Sequence, residues 1–142
     1  MTDHSPPTGD VSGTEFELVP TSLAATRRQA ARSPGCPLLV TEHGANLGDD
    51  RDHLRGRFIA ASLSHLADAI TDDVDVRGYP HWSLVDYYEW FNGYHGHFGL
   101  LGVDRTTQRR WIRPGAVLLG RIARDEPRLT TRAPTVGRQR RY

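Results

Sequence analysis

Residues 77–104 read RGYPHWSLVDYYEWFNGYHGHFGLLGVD and hold Trp82 and Trp90, two of the three tryptophans, together with four of the five tyrosines. The stretch opens as a strand, expected over Asp75–Ser83, and breaks into a loop punctuated by Gly93, Gly96 and Gly99. Glu89 is expected to lie buried among the rings. Aromatic rings beside a carboxylate suit carbohydrate. The apolar C–H face of a sugar stacks on indole, while its hydroxyls need charged acceptors. The competing reading is an aromatic cluster buried for packing alone.

Upstream, Pro37 introduces Leu38-Leu39-Val40-Thr41, a short apolar run of the kind buried on both faces of a parallel sheet. It ends in Glu42-His43-Gly44. Asp49, Asp50 and Asp52 then favour a helix N-terminus, and Phe58, Ile59, Leu63, Leu66, Ala69 and Ile70 recur at helical spacing, which predicts a helix over about 52–71. Strand, helix and strand make one βαβ unit, with a right-handed parallel crossover expected. Earlier, a helix is expected from Pro20 to about Arg32, with Leu23, Thr26 and Ala30 along one side and Ser33-Pro34-Gly35 as its stop. Later, Leu100–Val103 reads as a hairpin arm, and Pro114 starts a last helix that buries Val117, Leu118 and Ile122.

The composition narrows the classes. A chain of 142 residues fits one ordinary domain, here expected at 14–128 between a disordered leader (1–13) and a disordered, arginine-rich tail (129–142). The net charge of +1 gives no electrostatic reason to invoke nucleic acid or a membrane surface. A single cysteine, Cys36, excludes an internal disulfide, and no apolar run suits a signal peptide or a membrane span, so a cytoplasmic protein is expected. Seven histidines, with His95 and His97 near His81, invite a metal reading. A bare His-x-His in a glycine-rich loop is a weak pattern, exposed loop histidines are the competing account, and no metal site is expected.

The run Trp82-Ser83-Leu84-Val85-Asp86-Tyr87-Tyr88-Glu89-Trp90, followed by Gly93-Tyr94 and His97-Phe98-Gly99-Leu100, resembles a signature of glycoside hydrolase family 1, the retaining β-glucosidase type. There, Trp-Ser-Leu-x-Asp-Asn-Phe-Glu-Trp leads into Gly-Tyr and Arg-Phe-Gly-Leu. Thr41-Glu42-His43-Gly44 is similar to the family's Thr-Glu-Asn-Gly. The resemblance, over about Phe16–Arg124, implies an α/β fold: strands seven and eight of a (β/α)8 TIM barrel with their helices, incomplete as a barrel.

Read alone, Glu42 at the tip of an apolar strand either serves chemistry or turns outward into the loop. The resemblance implies the first, with Glu42 as nucleophile of a double displacement. It also implies that Trp82 stacks the sugar, that Glu89, with Trp90 beside it, accepts hydrogen bonds from its hydroxyls, and that Phe98 walls the pocket. The expected ligand is a β-glycoside, with no cofactor, no nucleic acid and no membrane. The family's acid/base lies in an Asn-Glu-Pro motif that does not occur here, so a complementary N-terminal barrel portion is the expected partner and the chain alone is expected to be inactive. A non-catalytic sugar-binding or scaffold remnant is the alternative. Three departures from the pattern bear on specificity: His43 for Asn, Tyr87-Tyr88 for Asn-Phe, and His97 for Arg.

Overall fold

The computed structural model describes residues 13, 16–30, 36–72 and 74–125. The expected leader (apart from Gly13), the expected tail and the Ser33-Pro34-Gly35 stop lie outside them. The described elements run α1 (Thr21–Ala30), β1 (Leu38–Leu39), α2 (Asp52–Thr71), β2 (Val76–Gly78), β3 (Leu101–Val103), β4 (Arg110–Ile112) and α3 (Pro114–Asp125).

β1 and β2 are adjacent and parallel, pairing Leu38 with Val76 and Leu39 with Gly78 around one irregularity. The Leu38 N–H donates to the Asp75 carbonyl at 2.8 Å and the Val40 N–H to the Gly78 carbonyl at 3.0 Å. β2 is shorter than the expected 75–83. Its ladder ends at Gly78, and Pro80 has no N–H to continue one. Leu39 is 52% exposed where burial on both faces was expected. Among the described residues β1 pairs only with β2, so its outer face has no neighbouring strand to cover it.

α2 is the hub and packs against both α1 and α3. Its apolar stripe forms the core: Ile59, Leu63 and Leu66 pack with Val40, and Leu23, Val76, Leu119 and Ile122 close around them. On α1, Leu23 packs inward as expected and Ala24 is buried beside Ala69 and Val74, whereas Thr26 is exposed; the side chain of Ala30 lies outside the described ones. On α3, Gly115, Leu119 and Ile122 face inward and Leu118, also half-buried, stands against Gly56 of α2; Val117 is 45% exposed, contrary to expectation. The hairpin is present, β3 pairing antiparallel with β4 from Leu101–Ile112 to Val103–Arg110. No described helix is long and apolar enough to cross a membrane.

Polar side chains are buried as well, among them Arg55, Ser62 and Arg113, and Arg55 joins the most elements. Arg55 is fully buried, and each of its five N–H donors has an acceptor. Nε donates to Asp52 Oδ1 at 2.7 Å. Nη1 donates to the carbonyls of Ala45 (3.0 Å) and Phe98 (3.1 Å), and Nη2 to those of Leu47 (2.5 Å) and His97 (2.8 Å). Two carbonyls belong to the loop after β1 and two to the loop after β2. The guanidinium thus ties together the two loops that leave the sheet.

Removing a buried charge partner leaves the other groups unsatisfied, at a cost of about 3–5 kcal/mol. Arg55→Met is therefore expected to lower the urea midpoint by most of the chain's stability or to abolish the cooperative transition, whereas Arg57→Met, on the exposed face of α2, should shift it by less than about 0.5 kcal/mol. Similar midpoints for the two variants would refute this role.

Candidate active site

Glu42 is the first residue beyond β1 and its following Val40-Thr41, and it is exposed. Trp82 follows β2 and comes to the same end of the sheet, because its N–H donates to the carbonyl of His43 at 2.9 Å. The Trp82–Ser83 peptide bond is cis. This approach depends on Gly44: a Cβ there would collide with the Trp82 carbonyl oxygen. The ends of the two strands that carry Glu42 and Trp82 are thus held together through the main chain.

Trp82, 40% exposed, meets Tyr87 edge to face with ring centroids 5.4 Å apart. Its indole Nε1–H donates to the Tyr87 hydroxyl at 2.6 Å. The Tyr87 hydroxyl in turn donates to Glu89 Oε2. Phe98 lies on another side of Tyr87, at 6.1 Å between centroids. Burial, with the nearby charges of Glu89 and Glu42 adding to it, raises the Tyr87 phenol above its ordinary pKa. Trp82, Glu89 and Phe98 therefore all meet one phenol. Glu89 is half-buried rather than buried, and Trp90 stands 80% exposed, outside this group. A cavity of about 330 Å³ adjoins the cluster, lined by Phe16, Leu18, Ala45, Phe58, Glu89 and Phe98 among others.

A second polar pair supports the loops. Arg113 is buried and donates to both oxygens of Asp86 (2.9 and 2.8 Å), to Asp49 (2.5 Å) and to the Gly99 carbonyl (2.6 Å). Asp86 also accepts from the Gly99 N–H at 2.8 Å. Burial opposes both charges, yet the hydrogen bonds outweigh it, holding the carboxyl of Asp86 below and the guanidinium of Arg113 above their usual ranges. Asp52 completes the frame, accepting from the Gly115 N–H at the start of α3 at 2.8 Å.

These supports were not singled out from the sequence. Arg55 precedes Phe58, Ile59, Ser62 and Leu63 at helical spacing, so it occupies an apolar-stripe position. A charged residue inside such a stripe is the signal that points to a buried clamp. Asp86 falls inside the quoted signature with no role given to it there, and Arg113 carries no comparable local signal.

His43 is packed on Phe58 (4.6 Å between centroids, 20° between planes), and its Nδ1 lies 2.6 Å from the Tyr79 hydroxyl. His81 Nδ1 lies 3.1 Å from the same hydroxyl. Tyr79 has one proton to give, and the shorter contact suits O–H donating to His43, the longer one N–H donated by His81. The Nε2 atoms of both rings are buried without a hydrogen-bonding partner among the described residues. Burial pushes both imidazoles down to about 4, the charges of His43 and Arg55 adding to the effect at His81. His95 is exposed, and no group of three or more metal-binding side chains gathers among the described residues.

This pair makes stability pH-dependent. Both imidazoles have folded pKa values of about 4, below the ordinary 6.5, so the unfolded chain takes up more protons between those limits. The contribution is fully present above pH 6.5 and is lost as pH falls toward 4, on the order of 3 kcal/mol per ring at most. Urea midpoints should fall steeply over that window, and less steeply in His43→Asn. An unchanged pH profile in that variant would contradict the assignment.

Known proteins share this arrangement of sequence and fold. The sequence profile described as glycosyl hydrolase family 1 matches residues 3–126. A β-galactosidase of Sulfolobus acidocaldarius is 38% identical over 119 residues, covering 84% of this chain and 23% of its own length. The thermostable β-glucosidase B of Thermobispora bispora is 43% identical over 90 residues, covering 59% of this chain and 19% of its own. An apo β-glucosidase structure superposes with a TM-score of 0.79 at 37% identity, covering 85% of this chain and 30% of that one. The chain thus spans a quarter or less of the length of these two curated relatives. The solved neighbours are TIM barrels, and the chain corresponds to part of one; its described residues form two parallel strands and no closed barrel. The chain belongs to glycosyl hydrolase family 1.

Proposed function

We propose that this chain supplies the nucleophile and part of the sugar-binding wall of a retaining β-glycosidase of the β-glucosidase type, and that it corresponds to strands seven and eight of the barrel with their helices. The observation that carries the reading is the Trp82 N–H to His43 carbonyl bond, which sets Glu42 and Trp82 at one end of the β1–β2 pair. Active sites of such barrels lie at the C-terminal ends of the strands, where both residues stand.

In this reading the substrate is a β-glycoside. The Glu42 carboxylate attacks the anomeric carbon, the glycosidic C–O bond breaks with protonation of the leaving oxygen, and water later hydrolyses the glycosyl-enzyme ester. Trp82 stacks the sugar face, Glu89 and Trp90 serve its hydroxyls, and Phe98 closes a wall. The proton donor comes from elsewhere, since the chain has no Asn-Glu-Pro tripeptide. A complementary barrel portion carrying that motif is the partner. The single cysteine suits a reducing, cytoplasmic setting.

A second reading, a sugar-binding or scaffold remnant without turnover, draws support from Tyr87, whose hydroxyl already engages Trp82 and Glu89.

A nitrophenyl β-glucoside tests the proposal. The purified 142-residue chain should show no turnover above background, because the acid and the remaining pocket walls are missing. Joined to the complementary barrel portion it should release nitrophenol, and Glu42→Gln in that assembly should lose at least about a thousandfold in kcat. An assembly whose activity survives Glu42→Gln would assign the nucleophile elsewhere. A folded assembly with no activity would favour the remnant.

A further inference from the structure

Building on the sugar-site reading above, we infer that Tyr87 is a specificity-determining residue, an internal occupant whose hydroxyl fills the place of a sugar hydroxyl between Trp82 and Glu89. Three observations carry this. The phenol oxygen accepts from the Trp82 indole at 2.6 Å and donates to the Glu89 carboxylate, so one hydroxyl uses both polar groups of that corner. Its ring stands against Trp82 at 5.4 Å and Phe98 at 6.1 Å, the two aromatic walls proposed for the sugar. The side chain is half-buried within that group rather than turned to solvent.

A hydroxyl with one donated and one accepted hydrogen bond is what each sugar hydroxyl offers. A β-glycoside that needs Glu89 must therefore displace Tyr87 or leave that carboxylate to it. The phenol's raised pKa keeps its proton in place at neutral and moderately alkaline pH, so deprotonation does not release the corner there. The occupant selects for sugars that make no demand on Glu89, such as those lacking the corresponding hydroxyl, and against those that do. An Asn at this position, as in the family pattern, has no ring to stand between the walls.

The full chain with ¹⁵N-labelled tryptophan gives three indole N–H signals, for Trp82, Trp90 and Trp111, assigned by substitution. Tyr87→Phe, which keeps the ring, should move the Trp82 signal upfield by loss of its acceptor and leave the other two in place. Methyl β-D-glucopyranoside is then titrated into wild type and Tyr87→Asn, each joined to the complementary barrel portion with this chain alone carrying the label, following Trp82. The midpoint should be at least about tenfold lower in Tyr87→Asn. Equal midpoints would leave the sugar site standing and overturn the role of Tyr87. No response in any variant would overturn the sugar-site reading and this role with it. An unmoved Trp82 signal in Tyr87→Phe would remove the bridge itself.

Discussion

The Arg55 guanidinium is the interaction on which the rest of the molecule depends. A fully buried charge is costly unless every donor is met, and here a carboxylate and four carbonyls meet all five. The carbonyls come from residues 45, 47, 97 and 98, more than forty positions apart in sequence at their widest. β1 and β2 are too short to determine how their following loops lie. Arg55 does so from below, standing on α2, the helix that already carries the core. Asn46 reinforces the junction by accepting from the His97 N–H at 2.8 Å, as does the Leu47 N–H to His97 carbonyl bond at 3.0 Å.

The site inherits its geometry from that junction. Once the loops after β1 and β2 are joined, Gly44 permits the Trp82 main chain to approach closely, and the strand end carrying Glu42 lies beside Trp82. Arg113 and Asp86 do the same for the outer half of the aromatic loop, coupling it to Asp49 before α2 and to the start of α3. Among the described residues three buried side-chain atoms have no hydrogen-bonding partner: Ser62 Oγ on α2, and the Nε2 atoms of His43 and His81 beside the site.

Much of this was legible in the sequence. The 3.6-residue period of Phe58 to Ile70 defined α2 from Asp52 to Thr71, because packing and propensity agree there. The parallel pairing of β1 with β2 followed from a strand expected on each side of that helix. Other features were not legible. Strand length depends on partners, and with β1 only two residues long the pairing of β2 ends at Gly78. Continuous apolarity at Leu38–Val40 implied two covered faces, yet Leu39 is 52% exposed, since burial depends on which neighbours are present. The acceptors of Arg55 and the contacts of Tyr87 involve residues brought together only by the loops. Family resemblance indicated Glu42, Trp82, Glu89, Trp90 and Phe98; it did not indicate that a tyrosine in place of an asparagine would engage Trp82, Glu89 and Phe98 at once.

Native-state hydrogen exchange of the 142-residue chain tests the central claim, that Arg55 joins the two loops and so sets Trp82 beside Glu42. The amides of Leu47 and Trp82 donate across the junction, to the His97 and His43 carbonyls at 3.0 and 2.9 Å. Both should be protected in the wild type and exchange with similar opening free energies, as members of one cooperative unit. In Arg55→Met both should lose protection by a similar factor, while the mid-helix amides of α2 keep more of theirs. A Trp82 amide that exchanges freely in the wild type, or that stays protected when Arg55 is replaced, would contradict the account.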